Sequence, residues 1–351
     1  MHKMAIIGFG SMAAWHYEQI AKKIPEIKVN AAYDIRQEAR AQITGLGMKC
    51  YASPDELYND DEIDLVLVAT PNDMHMPYSV ACLNAGKNVI CEKPAALGAE
   101  ELKQVIAASR EAGKLFTVHQ NRRWDNDFLT LAKILHDGIL NNPYIIESRV
   151  QGSRQVMHGW RGHKVNGGGM VYDWGVHLID QLLYLFPYKV VSVAAHMHNV
   201  YAREVDDNFY ALLRFENGLT AIINVAMNCF ILQPRWHMSC EDGTAVIENW
   251  DVEGKIVKLD YNASRMGWAE EIVYTAAGPT RTMAPRPNDT TMEIPLPFAR
   301  GEWTDLYKNV VAAMEGKAEL IVKPEQSLRV MEIIDSIFES DRTGGSITRN
   351  I

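Results

Sequence analysis

The sequence predicts an α/β protein of two domains, a doubly wound parallel sheet followed by a domain built on an antiparallel sheet. In the first third of the 351 residues, short apolar runs such as Leu65–Thr70 alternate with amphipathic stretches, as strands buried between two layers of helices do. After Gln120, extended segments follow one another through tight turns, which indicates antiparallel pairing. The length fits two domains of about 150 residues each, and we place them at residues 1–122 and 123–351.

The first domain is expected to alternate strand and helix. Its predicted strands are Met4–Gly8, Val29–Asp34, Leu65–Thr70, Asn88–Cys91 and Leu115–His119. The predicted helices between them are Met12–Lys23, Gln37–Gly45, His75–Ala85 and Ala99–Ala112. Continuous apolar strands joined by helices are typical of a parallel sheet covered on both faces.

The second domain is expected to carry most of its strands in succession. They are predicted at Tyr144–Gly152, Val190–Met197, Asn208–Phe215, Leu219–Met227, Arg235–Cys240, Ala245–Trp250 and Lys255–Asp260. Helices are predicted at Asp127–His136, Met170–Leu185, Glu302–Glu315 and Pro324–Ser340. Asn217–Gly218 and Asp242–Gly243 fit hairpin turns. Gly278–Pro297, rich in Pro, Thr and Arg, is predicted to be an irregular loop.

Composition narrows the class of protein. The formal net charge of −9 gives no electrostatic footprint for nucleic acid or an anionic membrane, so neither partner is expected. The five cysteines form no CxxC pair and the histidines no recognisable ligand set, so no metal is expected. The N-terminal apolar run is interrupted by Gly8 and Gly10, and no run approaches the length of a membrane span. We therefore expect a soluble, cytoplasmic protein.

A dinucleotide fingerprint stands between the first predicted strand and helix. Gly8, Gly10 and Ala13 form GxGxxA, with Ser11 and Met12 between them. The first glycine allows a tight turn, the second lets the backbone approach a pyrophosphate, and the small third residue lets the helix pack on the sheet. The helix N-terminus then offers free N–H groups to the phosphates.

Asp34, at the end of the second predicted strand, supports the same site. An acidic side chain there accepts hydrogen bonds from the adenosine ribose hydroxyls. The alternative is a solvated loop carboxylate or a cap of the next helix. Because a carboxylate repels a 2′-phosphate, Asp34 favours NAD. Arg36 stands where a guanidinium could neutralise such a phosphate, so NADP stays open as the cofactor.

Three residues are candidates for chemistry. Lys93 follows a predicted strand in Glu92-Lys93-Pro94, at the edge of the sheet where ligands bind in doubly wound folds. Asp173 and His177 are spaced i, i+4 on a predicted helix, which places them on one face. Histidine exchanges protons near neutral pH. The alternatives are a surface lysine before a turn and an ordinary helical Asp/His pair.

These residues carry a resemblance. GxGxxA, Glu92-Lys93-Pro94 and a downstream GGG followed by Asp173 and His177 resemble the glucose–fructose oxidoreductase / inositol dehydrogenase (Gfo/Idh/MocA) family. The likeness extends to Ala69–Asn72 with His75, and to residues 120–125. It implies a Rossmann domain followed by an α/β domain with an open, mainly antiparallel sheet. It also implies oxidation of a secondary hydroxyl of a sugar, glycoside or cyclitol, or the reverse reduction, with NAD or NADP.

The resemblance implies roles at the matching positions. Lys93 would hydrogen-bond the reacting oxygen, His177 would be the general base, and Asp173 would position the substrate and polarise the histidine. The residues expected at the cofactor are Gly8, Gly10, Ser11, Met12, Asp34, Arg36, Thr70, Asn72, His75, Glu92, Lys93 and Gln120, with Glu92 and Gln120 near its nicotinamide end.

Several side chains that could bind a sugar ring lie after residue 121 in the sequence. Besides Lys93, Asp173 and His177, the expected substrate-binding residues are Arg122, Trp160 and Arg161, with Trp174, Arg154 and His158 as further candidates. A structural role in the core or at an interface is favoured for Trp236, Trp250 and Trp303, and Arg122 could equally be a structural ion-pair partner.

Two further classes of function remain open at this stage. An NAD-dependent glycosidase would oxidise its substrate only transiently, and an NAD-sensing protein would not catalyse at all.

The apolar residues on both faces of the predicted strands Asn208–Phe215 and Leu219–Met227 predict a homo-oligomer formed through this sheet.

Overall fold

Two sheets organise the structure, a computed structural model that describes residues 1–155, 157–263, 272–281 and 286–351. The first is a parallel sheet of six strands in the order β3-β2-β1-β4-β5-β6. Its strands are β1 His2–Ile7, β2 Ile27–Tyr33, β3 Lys49–Cys50, β4 Leu65–Val68, β5 Asn88–Cys91 and β6 Phe116–Val118. The predicted doubly wound domain is confirmed, and the four residues of β4 are fully buried, as expected of a strand covered on both faces.

Helices connect these strands: α1 Ser11–Lys23, α2 Gln37–Gly45, α3 Pro54–Tyr58, α4 His75–Asn84 and α5 Ala99–Ala112. The sequence analysis missed β3 and α3. A strand of two residues has no readable periodicity, and α3 is a single turn that begins after Ser53, whose side chain accepts a hydrogen bond from Glu56 N.

The second sheet has nine strands in the order β16-β13-β12-β11-β7-β10-β9-β8-β17. They are β7 Pro143–Gln151, β8 Val190–His198, β9 Asn208–Phe215, β10 Thr220–Ala226, β11 Trp236–Cys240, β12 Gly243–Ile247, β13 Gly254–Leu259, β16 Thr291–Ile294 and β17 Ile347–Thr348. Both predicted hairpins form, β9–β10 and β11–β12. The sheet is mixed, because β7 and β10 at its centre run parallel.

The predicted loop Gly278–Pro297 is wrong in part. Strand β15, Gly278–Arg281, pairs with β14, Ile272–Thr275, in a two-stranded sheet, and β16 pairs with β13. Gly278 and Pro279, which suggested a loop, lie within β15 and pair with Thr275 and Tyr274; a proline is tolerated there because the two-stranded sheet consists only of edge strands. Residues 282–285, and Trp268, lie outside the described residues.

Four helices belong to the second half: α6 Asn126–His136, α7 Val176–Leu185, α8 Asp305–Met314 and α9 Pro324–Thr343. The predicted helix Met170–Leu185 begins instead with a π-helical turn, Val171–Gly175, and continues as α7. A 3.6-residue periodicity gives no warning of a π-turn, and such turns are frequent at functional sites.

The last fifty residues return to the first domain. In α8, the Tyr307 hydroxyl lies 2.7 Å from Nδ1 of His16 in α1, and Trp303 packs edge-on against Trp15. Helix α9 reaches α5, where Asp335 accepts a hydrogen bond from Ala99 N. These contacts close one side of the crevice above the parallel sheet. None of the helices in the described ranges combines the length and apolarity needed to cross a membrane.

Candidate active site

A cleft of about 750 Å³ lies beyond the carboxyl ends of β1, β2, β4 and β5, between the two sheets. This is where ligands bind in doubly wound folds. Most of the predicted site residues line it: Gly8, Gly10, Ser11, Met12, Asp34, Arg36, Thr70, Asn72, His75, Glu92, Lys93, Arg122, Trp160, Arg161, Asp173 and His177. Arg154 and His158 are not among the lining residues. The cleft therefore joins segments that are far apart in the sequence.

The fingerprint forms one end of this cleft. Gly8 has φ +86°, and a Cβ there would lie 2.8 Å from the carbonyl oxygen of Ala69, so only glycine fits without strain. A Cβ on Gly10 would meet no heavy atom within 4 Å, which leaves open space in front of the N-terminus of α1. No side chain caps that terminus, so its N–H groups are free for an anion.

Asp34 and Arg36 form an ion pair at the same end. The buried Asp34 carboxylate accepts from Phe9 N at 2.7 Å, from Arg36 N at 2.8 Å and from the Arg36 guanidinium at 2.9 Å. Burial opposes ionisation, but these hydrogen bonds hold the pKa of Asp34 below its ordinary value. The Arg36 side chain is about half exposed. The carboxylate is thus a fixed anion with a half-exposed cation beside it.

The β4–α4 connection forms the middle of the cleft. His75 lies between two backbone carbonyls, its Nδ1 2.6 Å from Pro94 O and its Nε2 2.9 Å from Thr70 O. Asn72 donates to Gly167 O at 2.8 Å, which ties this connection to the second domain. His75 and Asn72 therefore brace the loops, whereas the buried Thr70 hydroxyl has no hydrogen-bond partner in the described part of the chain.

Lys93 and Asp173 meet at the other end. Nζ of Lys93 donates to Oδ1 of Asp173 at 2.9 Å and to its backbone carbonyl at 2.8 Å. Nε of Arg161 lies 3.4 Å from the same Oδ1. Burial raises the pKa of Asp173, but Lys93 and Arg161 outweigh it and leave that pKa below the ordinary value. Asp173 therefore holds the Lys93 side chain in place.

His177 is buried beside this pair. Its Nδ1 has no hydrogen-bond partner among the described residues. The resemblance had implied that Asp173 polarises His177, but among the described residues the two side chains form no hydrogen bond, and Oδ1 of Asp173 contacts Lys93 and Arg161 instead. Burial, Lys93 and Arg122 all disfavour the imidazolium, and they hold the pKa of His177 well below its ordinary 6.5. His177 is thus a neutral imidazole facing the cleft.

Aromatic side chains form the outer wall. The Arg122 guanidinium lies 4.2 Å from the ring of Trp174 and 5.5 Å from that of Trp303, and its NH1 donates to Asp125 at 2.9 Å. Trp303, assigned a structural role from the sequence, lines the cleft. Trp303 lies 126 residues after His177 in the sequence, so no motif connected it with the site. The chain that leads into α8 returns it to the cleft. Arg161 lies 4.5 Å from the ring of Trp160.

A buried polar array underlies the catalytic end. Oε1 of Glu92 lies 2.7 Å from Nε2 of His16 and 3.0 Å from Nδ1 of His119. His119 lines the cleft, whereas Gln120, predicted near the nicotinamide, is buried and does not. Both residues lie just beyond the end of β6, so no strand periodicity in the sequence indicates which of the two side chains faces the cleft. The three residues are also close enough to hold a metal ion, a cluster the sequence did not reveal.

Comparison with known families decides what this arrangement is. A sequence model described as "Oxidoreductase family, NAD-binding Rossmann fold" matches residues 2–120. The model of the "GFO/IDH/MocA C-terminal domain" matches residues 128–246. The chain belongs to the Gfo/Idh/MocA family. It is therefore an NAD(P)-dependent oxidoreductase by family, as the motifs had predicted.

Two curated proteins and a solved structure match between 65% and 99% of this chain. The scyllo-inositol 2-dehydrogenase (NADP(+)) IolW of Bacillus subtilis is 27% identical, with 97% of this chain and 94% of the relative covered. An inositol 2-dehydrogenase of Salmonella typhimurium is 26% identical, with 65% and 68% covered. The crystal structure of an NAD-binding protein from Listeria innocua is 36% identical, covers 99% of both chains and superposes with a TM-score of 0.91.

The cleft fits the dinucleotide that the Gfo/Idh/MocA fold implies. The tight turn at Gly8, the open space at Gly10 and the N-terminus of α1, which no described side chain caps, form a cradle that a Cβ would fill. Thr70 lines the same cleft, and its buried hydroxyl has no hydrogen-bond partner among the described residues. A buried orphan of this kind is expected where a ligand supplies the missing hydrogen bond.

Proposed function

We propose that this protein is a dehydrogenase for a secondary hydroxyl, for example at C3, of a polyhydroxylated ring such as a cyclitol, sugar or glycoside. One observation carries the proposal: Lys93, held in place by Asp173, and the neutral His177 line the same cleft as the dinucleotide fingerprint. The names of two relatives, both inositol dehydrogenases, support a cyclitol among these substrates.

The reaction assigned to these residues removes a proton and a hydride from one carbinol. When bound, the nicotinamide accepts the hydride from the C–H bond. His177, neutral and without a partner at Nδ1, takes the proton of the hydroxyl. The Lys93 ammonium donates a hydrogen bond to the same oxygen and stabilises the negative charge that develops there. Asp173 is the positioning residue that fixes Lys93.

The outer wall supplies groups for the rest of the ring. Trp160 offers an aromatic face for the axial C–H groups of a sugar or cyclitol, and Arg161 offers donors to its hydroxyls. Arg122 is packed among tryptophans, but its buried Nε lacks a partner among the described residues, which leaves one donor for substrate. These groups suit a neutral ring with several hydroxyls.

NAD is the preferred cofactor in this proposal. Asp34 is a buried, ionised carboxylate at the position that binds the adenosine ribose, and it would repel a 2′-phosphate. Arg36 is the residue that would favour NADP instead, since its exposed guanidinium could turn from Asp34 toward a phosphate. The relative IolW is named as an NADP(+) enzyme.

A spectroscopic panel tests the function. The purified protein is incubated with NAD⁺ or NADP⁺ and a set of cyclitols, sugars and glycosides, and absorbance at the nicotinamide band reports net oxidation. We expect reduced cofactor to accumulate with at least one cyclitol or sugar. Aglycone release without accumulation would support the redox-neutral glycosidase, which the dehydrogenase relatives do not favour. Cofactor binding without any turnover would support an NAD sensor.

A homo-oligomer formed through the second sheet is part of the proposal. In the β9–β10 pair, one face is buried and the other leaves Leu212 and Ile222 partly exposed opposite each other, with Tyr210 exposed beside them. A second copy would cover these apolar groups by closed symmetry. Light scattering should give a mass that is a multiple of 39.5 kDa; a monomer mass would contradict the proposal.

A further inference from the structure

The His16–Glu92–His119 array is a buried charge that the proposed reaction does not use. Oε1 of Glu92 accepts from both imidazoles, and Oε2 lies 3.3 Å from the backbone N–H of Lys93. The Tyr307 hydroxyl lies 2.7 Å from the second ring nitrogen of His16. Each of the four side chains is at least nine-tenths buried. A network of this kind holds its carboxylate in one position.

The hydrogen bonds fix the charge of Glu92. An ionised carboxylate only accepts, so Nε2 of His16 and Nδ1 of His119 each carry a proton directed at Oε1. The Tyr307 hydroxyl then donates to the bare Nδ1 of His16. Burial opposes ionisation, but the imidazoles hold the pKa of Glu92 well below its ordinary value. Glu92 is therefore a carboxylate anion whose side-chain partners are two imidazoles and not an ammonium or a guanidinium.

The array faces the part of the cleft where the nicotinamide must work. Glu92 and His119 line the same cleft as Lys93 and His177. A hydride passes only between atoms in contact, so the nicotinamide and the carbinol must meet beside Lys93 and His177. Glu92 precedes Lys93 in the chain, and His16 holds its carboxylate by a hydrogen bond. The carboxylate therefore lies at the end of the cleft where the nicotinamide must bind.

Without Glu92, the charged side chains at the catalytic end of the cleft would carry a net positive charge. The cations are Lys93, Arg122 and Arg161. Asp173 pairs with Lys93 and Arg161, and Asp125 pairs with Arg122. Three cations face two carboxylates, and Glu92 supplies the third. Without it, a positively charged ring entering the cleft would meet a net positive site.

We propose that the His16–Glu92–His119 array holds a fixed negative charge at the nicotinamide end of the cleft and so favours the cationic oxidised nicotinamide over the neutral reduced one. The inference rests on the proposed function, because it places the nicotinamide beside Lys93. Glu92 acts on the ring through space, and His16 and His119 are positioning residues that keep it ionised. The array thereby lowers the reduction potential of the bound cofactor.

The test is a pair of dissociation constants on the full-length protein. NAD⁺ and NADH are each titrated into wild type and Glu92→Gln, with intrinsic tryptophan fluorescence as the readout. We expect the ratio Kd(NAD⁺)/Kd(NADH) to rise about tenfold or more in Glu92→Gln, as removal of a unit charge several ångströms away predicts. A tenfold change corresponds to about 30 mV for a two-electron couple.

Control variants separate charge from structure. Asp73→Asn removes a carboxylate from another part of the cleft wall and should leave the ratio within about twofold of wild type. Glu92→Asp keeps the charge and should keep the ratio even if both affinities fall. Tyr307→Phe removes the hydrogen bond to His16 without changing charge, and it should also keep the ratio.

Each outcome has a distinct meaning. An unchanged ratio in a folded Glu92→Gln protein, or an equal loss of both affinities, overturns the inference and leaves the proposed function intact. Failure of wild type to bind either nucleotide overturns the proposed function itself. If Glu92→Gln does not fold, His119→Leu removes one of the two donors and should raise the ratio in the same direction by a smaller factor; a fall or no change there overturns the inference.

Discussion

The two ends of the cleft are built in different ways. The fingerprint end comes from one short stretch, residues 8–36, and its charged group is fully satisfied: Asp34 accepts from Phe9 N and from Arg36. The catalytic end joins Lys93, Asp173 and His177 from distant segments. There, Nδ1 of His177 is buried with no partner in the described ranges, as is one nitrogen each of His119 and Arg122.

This difference separates binding from chemistry. A buried polar atom without a hydrogen bond costs roughly 1–3 kcal/mol. The fingerprint end avoids that cost, because its own backbone and Arg36 occupy the carboxylate until a ligand arrives. The catalytic end carries it at His177, and the same desolvation lowers the pKa of the imidazole. Variants at the two ends should therefore fail in different assays.

The largest expected effect is that of His177→Ala. Loss of a positioned base should lower kcat by about 10²–10⁴-fold, while the Kd for NAD⁺ changes little, because His177 lies at the end away from Gly8 and Asp34. Steady-state oxidation of a substrate from the panel and fluorescence titration of NAD⁺ measure the two quantities. His136→Ala, at an exposed histidine of α6, is the matched control.

Retention of wild-type kcat/KM in His177→Ala would remove His177 from the mechanism. Tyr172, the tyrosine that precedes Asp173 in the chain, is a poor replacement. Its hydroxyl donates to Leu97 O at 2.6 Å, and burial raises its pKa well above the ordinary value. The proton would then have to pass to solvent without either side chain.

Lys93→Met should be the next most damaging change. Methionine keeps much of the length of the side chain but removes the charge that stabilises the developing alkoxide, which predicts a loss of about 10²–10³-fold in kcat. The Kd for substrate should rise far less. Lys103→Met, at an exposed lysine of α5, is the control. A Lys93→Met protein that loses only substrate affinity would make Lys93 a binding residue and not a catalytic one.

A smaller effect is expected at the fingerprint end. Asp34→Ala should weaken NAD⁺ binding by roughly tenfold, since ribose hydrogen bonds to a charged group are worth about 1–3 kcal/mol. Binding of NADP⁺ should be preserved or improved, because Arg36 loses its partner. Fluorescence titration of both nucleotides measures this, with Glu38→Ala in the first turn of α2 as the control. Equal or tighter binding of NADP⁺ by wild type would contradict the NAD preference.

The same contrast explains how much the sequence could predict. At the fingerprint end, Gly8, Gly10 and Asp34 act through local backbone geometry, so their order along the chain is enough. At the catalytic end, the motifs located Lys93 and His177, but not the contacts that tune them. Three contacts depend on how the domains and α8 pack. They are the pairing of Lys93 with Asp173, the position of Trp303 in the cleft wall and the contacts of the buried Glu92 with two histidines. No periodicity or short motif encodes such long-range contacts.

The pH profile is the subtlest measurement and follows from the unpartnered imidazole. His177 must be neutral to accept a proton, and burial, Lys93 and Arg122 hold its pKa well below 6.5. Oxidation should therefore show no loss of kcat/KM as the pH falls from 8 to about 6.5, the ordinary histidine value, and should decline only below it. The reverse reduction needs the imidazolium, so its rate should decline as the pH rises above that same lowered pKa.

The variant Lys93→Met tests this assignment. It lacks one of the positive charges that lower the pKa of His177, so the acid limb of the residual oxidation should move to higher pH. A wild-type limb at or above pH 6.5, or a limb that stays in place in Lys93→Met, would mean that the group controlling turnover is not the buried His177.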